Sequence, residues 1–297
     1  AEQLWPLVYE PLKTLPPSRS GIYTQVNFAK SLLALQLATS PLNLTMETID
    51  KILQNAVTQA QNLGDIKGQA YAFGTFGKLY EQAQQWKIAE EFTQQALSIA
   101  PTYNSPDIAY QFSWQLGRIR KQQGDRKGAI AAYQNAFNTL QSLRSDLVAI
   151  NPEVQFSFRE SVEPVYRELV DLQLQEANGF QIAGDSQNLQ LQIRDIRQVI
   201  ESLQLAELNN FFRDACVDAN PKIIDKVAKT AAIIYPIILP ERLEIIVSFP
   251  TEPEATFKLY TTQVNREEIN QTVRKLQGEL IQPPTDGNTA TTPEIFN

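Results

Sequence analysis

The sequence predicts a mainly α protein, an α-solenoid of antiparallel helix pairs, with a small α/β C-terminal segment of about three strands and one helix. Three observations carry this expectation. Residue types recur forty positions apart through the first half of the chain. Glutamine is abundant, with 31 of 297 residues, while glycine is scarce at 12, a balance that favours helix. After Cys216 the helical apolar period gives way to alternation and short β-branched runs.

The recurrence is read from three segments, Gln54-Asn55-Ala56-Val57, Gln94-Gln95-Ala96-Leu97 and Gln134-Asn135-Ala136-Phe137. Ile49, Ala89 and Ala129 keep the same spacing, as do Ile52, Phe92 and Ala132, and Phe76-Gly77 matches Leu116-Gly117. Each unit holds two helical patterns. Phe73, Phe76, Leu79, Tyr80 and Ala83 share one helix face, and Ile88, Ala89, Phe92, Ala96 and Ile99 share another. Pro101 ends the second helix, because the residue before a proline disfavours the α region. Small residues at Gly77, Ala89 and Ala96 allow close helix approach, and Tyr80 and Phe92 fill the remaining space. A lone unit cannot bury its apolar face, so units must stack.

These residues resemble a tetratricopeptide repeat (TPR). Unit 70–103 supplies Phe73, Phe76-Gly77, Tyr80, Ala89, Phe92 (one place early), Ala96 and Pro101. Unit 110–143 supplies Leu116-Gly117, Gly124, Ala129, Tyr133 and Ala136, with Trp114 one place late. Unit 22–63 is degenerate: Ala29 stands where the glycine would be, and Leu37–Thr45 is a longer loop. Residues 2–14 read as the last helix of a preceding unit. The repeat region is set at 1–150.

Residues 151–216 read as capping or connector helices. Pro152–Gln175 is helical in pattern, with Pro164 as a kink or restart. In Asp185–Ala215 the apolar series Leu189, Ile193, Ile196, Val199, Ile200, Leu203, Leu208, Phe211, Phe212 describes one long helix. Residues 217–230 read as a linker. Ala232–Tyr235, Leu243–Phe249 and Thr256–Thr262 read as strands. Asn265 followed by Arg266-Glu267-Glu268 reads as a helix cap with acids in the first turn, opening a helix to about Leu280. The final 282–297 reads as a disordered tail. Three strands and a helix make a thin core, so further chain is expected to follow them.

This second half resembles the connector and the opening of a CHAT domain, the caspase-like domain found with TPRs and abundant in cyanobacteria. The resemblance rests on Asn151–Leu172, Glu201–Cys216, the run Ala232–Pro240 and Tyr260 before Asn265–Glu268. It implies that 231–281 is the incomplete start of such a domain. The catalytic pair the family implies, a His and a Cys on later strands, has no counterpart here. The chain has no histidine, and Cys216 precedes the first strand. No catalytic residue is carried over, and the chain is not expected to be an enzyme.

Composition narrows function further. Without histidine, Ser-His-Asp and Cys-His mechanisms are absent from this chain. One cysteine and no histidine leave no zinc finger or CxxC pair. A net charge of -7, from 26 basic and 33 acidic residues, argues against nucleic acid. No GxGxxG or Walker run cradles a nucleotide, so no cofactor or metal is expected. The longest apolar stretch, Ala231–Leu239, is interrupted by Pro236 and too short to span a bilayer. The opening AEQLWPLVYE lacks the pattern of a signal peptide, and a cytoplasmic, membrane-free protein is expected. Cys216 reads as a small buried hydrophobe. Arg194, Asp195, Arg197, Glu201 and Glu207 read as a solvated helix face, and Glu160, Glu163 and Glu168 show no spacing that pairs them for acid–base work.

The TPR resemblance implies that the first helix of each unit lines a concave groove, with the residue after the Gly position pointing into it. Those residues are Lys78 and Arg118, with Lys30 in the degenerate unit. Lys121, Gln82, Gln122 and Trp114 lie alongside. Three cations on one wall suit the carboxylates of an acidic or C-terminal peptide. The bland alternative makes them ordinary surface residues, paired with Glu81. The function expected is binding of a protein or peptide ligand in the groove, to recruit it to a caspase-like CHAT domain. The alternative is a scaffold or self-assembly region of a cysteine-peptidase-like protein.

Overall fold

The computed structural model describes residues 5–38, 45–100, 105–150, 158–212, 230–250 and 255–281, without the side chains of 144–150, 159, 209–212 and 280–281. Ten α-helices and three strands are present among them. They are α1 (Trp5–Lys13), α2 (Arg19–Ala38), α3 (Met46–Asn62), α4 (Ile66–Gln82), α5 (Trp86–Ile99), α6 (Pro106–Gln122), α7 (Arg126–Ile150), α8 (Glu163–Ala183), α9 (Ser186–Phe212) and α10 (Arg266–Ile281). The strands are β1 (Ile233–Ile238), β2 (Leu243–Phe249) and β3 (Thr256–Thr262). The fold is mainly α, a TPR-like solenoid of antiparallel helix pairs with a small α/β segment. The predicted linker, Cys216 and the C-terminal tail lie outside the described residues.

The chain divides into two compact units, Ala1–Ala177 with Arg194–Ala219, and Asn178–Ile193 with Asn220–Asn297. In the first, each helix from α1 to α7 packs on its sequence neighbour, and the first helices of successive pairs also touch, α2 on α4 and α4 on α6. This is the layering a forty-residue repeat demands, since each pair covers the apolar face the previous one leaves open. Phe76 stacks on Phe92 with centroids 4.7 Å apart, and Tyr80 on Phe92 at 5.5 Å. The Tyr80 hydroxyl donates to Asp50 Oδ1 at 3.0 Å, so the half-buried ring keeps a polar partner.

Glycines mark the tightest approaches. A Cβ on Gly74 would lie 2.0 Å from the Phe112 ring. One on Gly77 would lie 2.3 Å from both Gln115 Nε2 and Thr93 Oγ1. The space at Gly77 is filled by a buried hydrogen-bond junction. Gln115 Nε2 donates to the Gly74 carbonyl at 3.1 Å and to Thr93 Oγ1 at 2.8 Å, and Thr93 donates to the Ala89 carbonyl at 2.7 Å.

One turn geometry recurs between helices. At Gly64-Asp65, Gln84-Gln85, Gly124-Asp125 and Gly184-Asp185 the first residue has positive φ. The second residue's N–H closes on a carbonyl five residues back, at Ala60, Tyr80, Arg120 and Phe180. This is a Schellman C-cap. The three aspartates then cap the next helix by accepting from Gly68, Gly128 and Asn188 N–H. Gln84 must enter the left-handed region with a side chain, and Gln85 makes no side-chain cap.

The restart expected near Pro164 is a π-helical turn, Phe158–Val162, followed directly by α8. The expectation of a fully solvated charged face on α9 fails at Arg197, whose side chain is 6% exposed and lies 3.4 Å from Glu201. Glu207 is drawn to Arg167 at 3.2 Å. Helical spacing alone cannot show which charged face a neighbouring helix covers.

In the second unit the sheet is antiparallel in the order β1-β2-β3. Ile237 pairs with Glu244, and Ser248 with Phe257. β1 continues through Pro236, three residues beyond the predicted Tyr235. It is an edge strand, where a missing N–H is tolerated. Gln190 engages both backbone groups of Phe257 on β3 at 2.8 Å, and Gln181 donates to the Leu259 carbonyl at 3.3 Å, which occupies that open edge. Glu244 is fully buried and accepts from Arg242 at 2.7 Å, Thr261 at 2.6 Å and Asn178 at 3.2 Å.

Candidate functional site on the first-helix wall

The wall is built from α2, α4 and α6. The register that aligns Lys30, Lys78 and Arg118 also aligns Tyr23, Tyr71 and Gln111, two helical turns earlier. The rings of Tyr23 and Tyr71 meet edge-on at 5.8 Å. Lys30 reaches from α2 across to α4, and its Nζ lies 4.7 Å above the Tyr71 ring centroid. A predicted site residue thus touches an aromatic partner that sequence reasoning missed. The signal was available, because Tyr23 and Tyr71 share the offset of Lys30 and Lys78.

The cations of the wall fall into two classes. Arg118 is held by Glu81 in a two-pronged bridge, Nε to Oε1 at 2.7 Å and Nη2 to Oε2 at 3.0 Å. Its guanidinium also lies 4.4 Å over the Trp114 ring. Burial opposes its charge, but the Glu81 carboxylate outweighs burial and lifts it above its ordinary value. Lys121 lies 3.3 Å from Asp171 of α8. These two match the bland alternative of paired residues. Lys30 and Lys78 do not: among the described residues neither has a carboxylate within ion-pair distance.

Their protonation reflects this. Burial, and then the neighbouring Lys78, pulls Lys30 down from 10.5 to about 8. Burial lowers Lys78 as well, followed by repulsion from Arg118, with Glu81 partly compensating. Tyr71 is pushed up to about 12 by burial and by the nearby Asp107, Tyr23 and Tyr110.

Trp114 is tied inside the unit. Its Nε1 donates to Glu168 Oε2 at 2.9 Å, and the Tyr133 hydroxyl donates to the same oxygen at 2.6 Å. Burial, then Glu168, drives the Tyr133 hydroxyl far above its ordinary range. Glu168 and Asp171 make α8 the next member of the wall after α6. Gln82 Nε2 is buried without a hydrogen-bond partner, and Gln122 is exposed. Lys30, Lys78 and Arg118 therefore stand in one row, Trp114 and Lys121 are engaged by α8, and Gln122 is apart. No group of three or more His, Cys, Asp or Glu among the described residues could hold a metal ion. No helix among them is long and apolar enough to cross a membrane.

No family model matches the chain, and no curated protein matches it significantly. Among solved structures it is similar to BtubC (BKLC) from P. vanneervenii, at 15% identity and TM-score 0.44, over 74% of this chain and 93% of that one. It is also similar to a Rap protein complexed with Competence and Sporulation Factor, at 16% identity and TM-score 0.40, over 66% of this chain and 56% of that one.

Proposed function

We propose that this chain is a protein-interaction module whose helical repeats bind an acidic segment of a polypeptide along the α2–α4–α6 wall. The carrying observation is the Lys30–Lys78 pair. Two partly buried ammonium groups on neighbouring helices, whose charges repel, make no ion pair among the described residues, although Glu81 partly compensates Lys78, in a chain with 33 acidic residues. Burying charge without a partner is unfavourable, and an incoming carboxylate removes the penalty through charge-assisted hydrogen bonds. Arg118 and Lys121, satisfied by Glu81 and Asp171, shape the wall rather than bind. The segment performs no catalysis in this reading and acts within the cytoplasm. It delivers its ligand to a caspase-like CHAT domain, a context supported by the residues of Asn151–Leu172, Glu201–Cys216 and the strand region.

The test is fluorescence polarisation with short acidic peptides, each made with a free and an amidated C-terminus. Lys30→Gln and Lys78→Gln each weaken binding about tenfold, the scale of one charge-assisted hydrogen bond, while Lys121→Gln leaves it unchanged. Equal binding by all variants at native helicity places the ligand elsewhere. No peptide binding, together with self-association in sedimentation, favours the scaffold alternative.

A further inference from the structure

We propose that two copies of this chain associate through their second units, α10 of each copy lying across the open sheet face of the other. The inference uses none of the wall residues and stands apart from peptide binding.

The sheet has one closed face and one open face. Tyr235, Ile237, Ile246, Phe257 and Leu259 point to the closed side and are buried. Cross-strand pairing sets Ile234, Pro236 and Ile238 of β1 opposite Val247, Ile245 and Leu243 of β2, on the other side. Ile234 is 63% exposed there and Pro236 is exposed as well. On β3, Tyr260 opposite Ile245 is 50% exposed. An antiparallel sheet with one solvated face turns its polar residues to the water. β2 does the reverse: Glu244 and Ser248 are buried, while Leu243, Ile245, Val247 and Phe249 share the open side. That is the residue pattern of a sheet covered on both faces.

The chain carries a matching cover that it does not use on itself. In α10, Ile269, Val273 and Leu276 stand at i, i+4 and i+7 and form one stripe. Val273 and Leu276 are 44% and 39% exposed, while Ile234 and Tyr260 stay open on either side of β2. The start of α10 is tied beside β1 instead. The Arg266 N–H donates to the Pro240 carbonyl at 3.0 Å, and its guanidinium donates to the Ile238 carbonyl at 3.3 Å. Leu239 donates to Arg242, so the odd-numbered residues of β1 bond to β2, and the backbone of Ile234, Pro236 and Ile238 faces away from it. Pro236 has no N–H to offer on that edge, and Arg266 occupies the Ile238 carbonyl. A further strand is therefore opposed at the edge, and the open face is what receives a partner.

A second copy suits that face in shape, charge and area. It brings the helix stripe the face lacks, and two-fold symmetry makes the contact twice. Lys258 is the one charged strand residue on the open side, with its ammonium 5.6 Å from the Phe249 ring. Glu268 and Glu279 flank the α10 stripe on one side, where they can meet the Lys258 of the other copy. Strand spacing and rise give the sheet face roughly 300 Å², and α10 spans roughly 24 Å by 10 Å. The two contacts together bury about 1,000 Å², the lower limit of a specific interface, so the dimer is weak, with a Kd of about 10 μM.

Sedimentation of the intact chain from about 1 to 100 μM brackets that value. The expected result is a monomer–dimer equilibrium. Ile234→Lys and Val273→Glu, both at exposed positions, each weaken it about tenfold or more at unchanged helicity by circular dichroism. Mixing the two variants restores association, because the mixed dimer keeps one contact intact and sets the introduced cation against the introduced carboxylate in the other. Lys258→Glu, at a position already charged and exposed, weakens the dimer several-fold, and Lys30→Gln leaves it unchanged. A monomer throughout the range, indifference to Ile234→Lys, Val273→Glu or Lys258→Glu, no recovery on mixing, or loss of the dimer with Lys30→Gln each overturns the proposal.

Discussion

Replacing Lys30 by methionine isolates the consequence of burying an ammonium group beside Lys78. Methionine keeps an unbranched stem against Tyr71 and removes the charge. A fall from 10.5 to about 8 corresponds to about 3 kcal/mol between the two protonation states. Residual solvent contact makes that an upper limit, so Lys30→Met stabilises the repeats by about 1–3 kcal/mol at pH 7. The advantage depends on pH in a fixed direction. Between about 8 and 10.5 the unfolded chain holds a proton at Lys30 that the folded chain has released. Parent stability therefore gains from this group as pH rises through that window. The variant has no such group, so its advantage is full below about pH 8 and vanishes near 10.5. Urea denaturation followed by circular dichroism, parent beside variant, reads the difference directly. A variant less stable at pH 7, or an advantage independent of pH, refutes the burial argument and with it the basis for an anion seat.

Other consequences are as direct. Gln84→Gly with Gln85→Asp installs the Gly-Asp turn found at residues 64, 124 and 184; relieving left-handed backbone and adding a cap should stabilise by about 1–2 kcal/mol, and no rise in Tm would contradict it. Gly74→Ala, whose Cβ would meet Phe112 at 2.0 Å, should destabilise by about 1–3 kcal/mol, whereas Gly179→Ala, with nothing within 4 Å, should stabilise by up to about 1 kcal/mol; equal melting shifts would sink the distinction. Tyr133→Phe and Trp114→Phe each remove a donor to Glu168 Oε2 and should each lose about 1–3 kcal/mol; a double-mutant cycle without coupling would show that the shared acceptor is irrelevant.

Much of the fold was legible because it rests on local periodicity. Ala56, Ala96 and Ala136 sit on buried faces of α3, α5 and α7, and β2 and β3 run over the residues whose alternation marks them. The β-branched and aromatic run marks β1 only to Tyr235, whereas the strand runs on through Pro236 to Ile238, because an edge strand tolerates a missing N–H. The row Lys30, Lys78, Arg118 was legible from the glycine register. Its partners were not. Glu81 lies 37 residues from Arg118, Asp171 50 from Lys121, and Glu168 54 from Trp114. Which cation is neutralised depends on helix packing that no spacing encodes. A clue to α8 was present: Gly64-Asp65, Gly124-Asp125 and Gly184-Asp185 stand 60 residues apart, and the last joins α8 to α9 with the same turn.

The separation of paired from unpaired cations gives the wall its direction. Arg118 combines a two-pronged carboxylate with an aromatic face, an arrangement planar guanidinium suits and lysine does not. It is thereby fixed as a permanent positive charge at one end of the row. Burial first, and then that charge, lowers Lys78, and burial first, and then Lys78, lowers Lys30. An anion arriving at the α2 end meets Lys30, whose ammonium is pulled down to about 8, and its charge favours the proton that Lys30 otherwise releases. Binding of an acidic group should therefore take up protons near pH 8, the range of Lys30, and calorimetry in buffers of different ionisation enthalpy would measure the uptake.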